Sequence, residues 1–95
     1  MQSYAQTVNQ VNALLDAYTY LCNQVPTDPV AVAQVSQDII VLNARKRAIG
    51  LNSPATDSQI AIDRLAAAVN ALNGMMAGNA AANNILNGVS SIMNR

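Results

Sequence analysis

The chain has 95 residues, five of them basic and five acidic, so its formal net charge is zero. This balance disfavours nucleic acid or an anionic membrane as a partner, because both require a surplus of Lys and Arg. A chain of this length is expected to form one domain over residues 1–95. Apolar residues make up 52% of the chain, yet Phe and Trp are absent. The core must therefore be mostly aliphatic, which suits close-packed helices.

All five acids are Asp, and the other polar residues are mainly Asn, Gln, Ser and Thr. Helical proteins of the cytosol more often place Glu and Lys on their outer face. The amide-rich surface favours a protein that works outside the cytosol or packed inside an assembly. The sequence leaves the compartment open.

Apolar residues in the first quarter of the chain recur at spacings of four and three, which is the heptad pattern of an amphipathic helix. The pattern predicts a helix over residues 3–25. Its predicted inward face consists of Tyr4, Val8, Val11, Leu15, Tyr18, Cys22 and Val25, widened by Leu14 and Leu21. Its opposite face, with Gln6 and Gln10, is expected to contact water.

Two residues of this helix are of functional interest. Cys22 lies on the inward face, so we expect a small buried hydrophobe and no reactive or metal-binding role. Tyr20 lies off that face and is expected to be exposed. Exposed tyrosines are frequent hot spots in protein interfaces, so Tyr20 is a candidate partner contact.

The second helix is predicted over residues 29–49. Pro26 ends the first helix, Thr27 or Asp28 can cap the next, and Pro29 suits its first turn. Gly50 then supplies the left-handed residue that commonly follows a helix. The inward face is expected to contain Val32, Val35, Ile39, Leu42 and Ile49, broadened by Ile40 and Val41.

Arg45, Lys46 and Arg47 form the only basic cluster. Arg45 and Arg47 are candidate partner contacts. The favoured interpretation places the cluster in the last turn of the second helix, where cations complement the negative helix end. Nucleic-acid binding is not expected, since three consecutive helical residues point in three directions.

A third helix is predicted over residues 54–73, with Ser53 as its cap and Pro54 in its first turn. Its inward face contains Ile62, Leu65, Val69, Leu72 and Met76. A fourth helix is predicted over residues 79–93, with Ala82, Ile85, Leu86, Val89, Ile92 and Met93 facing inward.

Gly74 and Gly78 lie between these two helices and are expected to form a break or hinge, because glycine disfavours helix. An unbroken helix from residue 54 would be about 60 Å long and would overhang the others. The sequence therefore favours an all-α, up-and-down bundle of four helices. The alternative is three helices with a long kinked C-terminal helix, whose exposed stripe would require a second copy.

Several classes of function are not expected. Without His and with one Cys, the chain offers no nucleophile–base pair and no metal site. We therefore predict no enzyme, no cofactor and no small-molecule substrate. The uncharged stretch between Arg64 and Arg95 is long enough to cross a membrane, but its asparagines and its one-sided periodicity make a membrane span unlikely.

The segment Pro26-Thr27-Asp28-Pro29, followed by an amphipathic helix that ends in Arg45-Lys46-Arg47, resembles the proline-framed turn of type III secretion needle and inner-rod subunits. In that family the turn joins two helices that pack into a hollow filament. The resemblance covers about a quarter of this chain. Needle subunits end after the second helix, whereas this chain continues for 45 residues, so no residue role is transferred.

The sequence thus predicts a non-catalytic helical protein that presents a surface to a protein partner or to itself. The alternative function is a self-assembling subunit of an extracellular filament or secretion apparatus.

Overall fold

The computed structural model describes residues 4–50 and 58–94. Within these residues the chain forms four α-helices: α1 (Tyr4–Cys22), α2 (Pro29–Ile49), α3 (Gln59–Ala77) and α4 (Ala82–Ile92). The prediction of an all-α bundle of four helices is confirmed. The alternative with one long C-terminal helix is wrong, because the chain turns between α3 and α4.

Local signals set the bounds of α2. The Asp28 carboxylate accepts hydrogen bonds from the backbone N–H groups of Val30 (3.0 Å) and Ala31 (3.1 Å), so Asp28 is the cap. At the other end Gly50 has φ +75° and its N–H donates to the Lys46 carbonyl oxygen at 3.1 Å. Both ends lie at the predicted residues because each is determined by neighbours in sequence.

The third helix begins later and ends later than predicted. Ser58 is extended and its hydroxyl accepts from the N–H of Ala61 at 3.1 Å, so the helix starts after Ser58. The predicted cap Ser53 and the predicted first-turn residue Pro54 lie outside the described residues. At the C-terminal end, α3 continues through Gly74 to Ala77.

The turn between α3 and α4 begins at Gly78, the last residue of the predicted hinge. The Gly78 N–H donates to the Gly74 carbonyl oxygen at 3.0 Å. Asn79 then adopts a left-handed conformation with φ 58°, and the Ala80 N–H donates to the Met75 carbonyl oxygen at 3.0 Å. Gly74 is therefore helical, and Gly78 is the residue that follows the helix.

The helices pack as two hairpins. α1 contacts α2, α3 and α4, and α4 also contacts α2 and α3. Between the described parts of α2 and α3 there is no contact. The hairpins α1–α2 and α3–α4 are therefore joined through α1 and α4, each of which contacts all three other helices.

One hydrophobic core lies between the hairpins. Its largest fully buried apolar side chains come from all four helices: Leu14, Leu21, Val35, Leu42, Leu72, Ile85, Val89 and Ile92. The predicted face of α4 is confirmed, with its other members half-buried or buried. On α3, Leu65 and Leu72 are buried as predicted, but Ile62 is 40% exposed.

Gly88 permits the close approach of α4 to α3. A Cβ atom at this position would lie 3.0 Å from Leu72 Cδ1 and 3.3 Å from Met75 Sδ. Gly88 is buried, so a side chain there would have to displace the core. The glycine that interrupts the apolar pattern of α4 is thus a packing residue.

The predicted inward face of α1 is only partly correct. Leu14 and Leu21, which the pattern predicts to widen it, are fully buried, but of the seven residues that define it only Val11 is buried, while Leu15, Tyr18, Cys22 and Val25 are exposed. The structure instead buries Thr7, Gln10, Leu14, Ala17 and Leu21, each 0% exposed. These five residues also have heptad spacing, displaced by one position, so the sequence contains two heptads about 100° apart and the more polar one faces the core.

The predicted face of α2 is partly correct. Val35 and Leu42 are buried, and Val32, Ile39 and Ile49 are half-buried. Ile40 and Val41 are 57% and 40% exposed and do not broaden the inner face. The inner face instead includes Asp38, which is 3% exposed.

Candidate functional site

The C-terminal part of the second heptad of α1 forms an exposed apolar surface. Leu15 is 45% exposed, Tyr18 is 37% exposed, and Cys22 is exposed as well. These three residues, which we call the outer stripe, are spaced by three and four and so share one side of the helix. The expectation that Cys22 is buried is wrong, because the helix is rotated relative to the predicted face.

Polar residues lie beside the outer stripe. Asn12 and Thr19, three residues before and four residues after Leu15, are exposed and neutral, and Asp16, next to Leu15, is exposed and acidic. Val8, one heptad before Leu15, is half-buried. The outer stripe is therefore an apolar strip whose border on α1 is polar and contains one acid.

A second apolar surface lies between α1 and α3. A groove of about 360 Å³ separates these helices. Its floor includes Ala13, Leu65 and Val69, and Asn9 and Asp16 lie along its rim. The partly exposed Ile62 also lines it. This groove, unlike the outer stripe, is concave.

Tyr20 is not the exposed contact that the sequence pattern predicts. It is half-buried, and its hydroxyl donates a 2.7 Å hydrogen bond to the Ala80 carbonyl oxygen in the α3–α4 turn. The Gln24 side-chain amide donates to the same oxygen at 3.1 Å. Tyr20 therefore fastens one end of α1 to the second hairpin.

Polar side chains fasten the other end of α1 to the same hairpin. Gln6 Nε2 donates to the Ala61 carbonyl oxygen at 3.3 Å, near the start of α3. Gln10 Nε2 donates to the Ile92 carbonyl oxygen at 2.8 Å, at the end of α4. Both side chains are buried, so their predicted contact with water is wrong.

The buried glutamines also line a cleft at this end of the bundle. We call it the polar cleft, and its volume is about 170 Å³. It lies between the first turns of α3 and the last turn of α4. Besides apolar atoms it is lined by Gln6, Gln10, Ser58, Arg64, Ser91 and Asn94. None of the described residues that line it is acidic.

The other predicted site residues do not meet at this cleft. Lys46 and Arg47 lie in the last turn of α2, as the favoured interpretation predicts, and Arg45 precedes them. Arg47 is exposed, whereas Arg45 is half-buried. Gly74 lies on α3 with open space around the position of a Cβ atom. Roles for the arginines as partner contacts and for the glycines as a hinge stay predictions.

Two further properties bear on the class of protein. Each helix within residues 4–50 and 58–94 falls short of the length and apolar character that a membrane span requires. The same residues contain no group of three or more His, Cys, Asp or Glu side chains placed to hold a metal ion.

Comparison with known proteins gives no relative: the chain matches no protein-family model, no curated protein and no solved structure.

Proposed function

We propose that this protein is a non-catalytic interaction module that pairs with a second copy of itself through the outer stripe. The observation that carries the proposal is the exposure of three residues with heptad spacing at the C-terminal half of α1, Leu15, Tyr18 and Cys22, while a different heptad of the same helix enters the core. A helix with two apolar sides can pack into its own bundle through one side and against a partner helix through the other.

A second copy suits this surface for two reasons. Heptad spacing matches a partner helix of the same spacing, because side chains at three- and four-residue intervals interlock in the geometry of coiled coils. The residues within one helical turn on this side, Asn12 and Thr19, are neutral, so they set no like charges against each other when two identical surfaces meet.

The size of the surface predicts a weak pair. The outer stripe runs over eight residues, from Leu15 to Cys22, so it is about 12 Å long and about 10 Å wide and presents about 120 Å². Stable complexes bury about 800 Å² per partner. We therefore expect a dissociation constant in the micromolar range or weaker.

Sedimentation equilibrium between about 10 µM and about 1 mM tests the proposal, since this range brackets the expected affinity. The average mass of the wild type should rise toward that of a dimer. Leu15→Glu should stay monomeric, because it places a charge in the stripe. Ile40→Glu is the matched control, since Ile40 is exposed on α2, and it should behave like the wild type. A wild type that is monomeric throughout, or a Leu15→Glu variant that still pairs, contradicts the proposal.

A second candidate function is a self-assembling subunit of an extracellular filament or secretion apparatus. The groove between α1 and α3 supports it, because open-ended assembly needs two different complementary surfaces on each copy. The convex outer stripe of one copy would occupy the groove of the next. This function predicts an average mass that rises above that of a dimer as the protein concentration increases. Replacing Ile62, on the groove wall, by Glu should lower this mass.

A further inference from the structure

The polar cleft contains a buried hydrogen-bond acceptor without a donor. Gln10 is 0% exposed, and its Oε1 atom has no hydrogen-bond partner. Its Nε2 atom is held by the carbonyl oxygen of Ile92 at 2.8 Å. The amide cannot be turned around, because that would place two acceptor oxygens together. Oε1 therefore remains available for an N–H donor supplied from the cleft.

The two walls of the cleft have opposite polarity. One wall is the start of α3, where the first N–H groups have no acceptor within the helix and create a positive end. Arg64, which also lines the cleft, adds a full positive charge to this wall. The other wall is the end of α4, where Ser91 and Asn94 lie and where free carbonyl groups create a negative end.

We infer that the polar cleft binds a small zwitterion of the α-amino acid class. Its carboxylate would lie against the start of α3 and the Arg64 guanidinium, and its ammonium group would donate to Gln10 Oε1 beside the end of α4. An anion alone would leave the buried Oε1 without a donor, and a cation alone would gain nothing from the positive wall formed by the start of α3 and the exposed Arg64. A zwitterion satisfies both walls.

The volume limits the ligand to the smallest members of this class. A water molecule occupies about 30 Å³ in the liquid, so a cleft of about 170 Å³ holds about six groups of that size. Glycine, alanine and serine have five to seven non-hydrogen atoms, whereas larger amino acids would extend into solvent. The cleft is smaller than the pockets that bind drug-sized ligands, whose volumes begin at about 300 Å³.

Entry of the ligand requires a small rearrangement, because Gln10 is fully covered. Gln6 is the side chain best placed to move. It lines the cleft beside Gln10, and its hydrogen bond to Ala61, at 3.3 Å, is longer than the 2.8 Å bond of Gln10. A ligand that binds here would therefore shift the side-chain amide signals of both glutamines.

The proposal is tested by titrating the full ¹⁵N-labelled chain with L-alanine and observing its amide signals by NMR. We expect saturable shifts of the Gln6 and Gln10 side-chain amides and of the first backbone amides of α3. Propionate lacks the ammonium group and ethylamine lacks the carboxylate. Each should bind at least about tenfold more weakly, since one charge-assisted hydrogen bond contributes about that factor.

Variants locate the site. Arg64→Gln should weaken alanine binding about tenfold, since it removes a charge-assisted contact, while Arg47→Gln, the matched change of an exposed arginine at the end of α2, should leave it unchanged. Gln10→Met should abolish the shifts in a chain that circular dichroism shows to be folded. If Gln10→Met unfolds the chain, the effect of Arg64→Gln on alanine binding still tests the inference.

Three results would overturn the inference: no saturable shift with alanine, which would mean that water alone fills the cleft; equal binding of propionate, which would mean an anion site; or equal weakening by Arg47→Gln. This site is independent of self-association, so Leu15→Glu should bind alanine as the wild type does.

Discussion

Leu14 and Leu15 are adjacent in α1 and chemically identical, yet they should respond very differently to replacement by Ala. Leu14 is 0% exposed and belongs to the buried heptad, whereas Leu15 is 45% exposed and belongs to the outer stripe. The pair therefore tests which side of α1 faces the core. The sequence pattern predicts that Leu15 is the more important residue, and the structure predicts Leu14.

The magnitudes follow from burial. Replacing Leu by Ala removes three carbon atoms, worth about 2.4 kcal/mol when fully buried, at about 0.8 kcal/mol each. A cavity adds to this at Leu14, so Leu14→Ala should lower the free energy of unfolding by about 3 to 4 kcal/mol. At Leu15 slightly over half of the transfer term applies and no cavity forms. Leu15→Ala should therefore cost about 1 kcal/mol.

Urea denaturation followed by far-UV circular dichroism measures both values. It should be performed at low micromolar protein concentration, below the range of the proposed pairing, so that Leu15 reports on the monomer. A loss of about 3 kcal/mol is a large part of the stability of a chain of this size. The urea concentration at the midpoint of unfolding should therefore be clearly lower for Leu14→Ala than for Leu15→Ala. If Leu15→Ala costs as much as Leu14→Ala or more, the orientation of α1 described above is incorrect.

Two further predictions concern α1 and the α3–α4 hairpin. Tyr20→Phe removes the hydroxyl that donates to the α3–α4 turn and should cost about 0.5 to 1.5 kcal/mol of unfolding free energy; Tyr18→Phe, on the outer stripe, should cost nothing measurable, and equal effects would contradict the fastening role. Gly74→Ala should stabilise the protein by about 1 kcal/mol, because α3 is helical there and the Cβ meets open space. Gly88→Ala should instead destabilise it by about 1 to 3 kcal/mol through a clash with α3. Thermal unfolding measures both glycine variants, and a destabilised Gly74→Ala variant would mean that Gly74 acts as a hinge.

The two heptads of α1 explain why its orientation could not be predicted from sequence. The outer heptad is the more apolar of the two, so periodicity alone selects it. The inner heptad contains Thr7 and Gln10, which a pattern of hydrophobicity assigns to water. Gln10 is buried because its amide reaches a backbone carbonyl group 82 residues away in the chain, and no local pattern contains that partner.

Tyr20 and Gln6 show the same limit. Their acceptors lie 60 and 55 residues away, on backbone carbonyl groups that every residue possesses. A carbonyl group carries no sequence signature, so the sequence could not identify which polar side chains of α1 would be buried. The polar cleft was missed for the same reason, since its walls come from three helices.

The sequence by itself determined that four helices form and where α2 begins and ends, because these features depend on neighbouring residues. Asp28 with Pro29 starts α2, Gly50 ends it, and the glycine-rich segment around Gly78 separates α3 from α4. Only the tertiary structure decided which side of α1 enters the core, because two sides have suitable spacing and the choice depends on distant hydrogen-bond partners. The outer stripe, which the sequence pattern assigns to the core, is consequently the surface through which we propose that the protein acts.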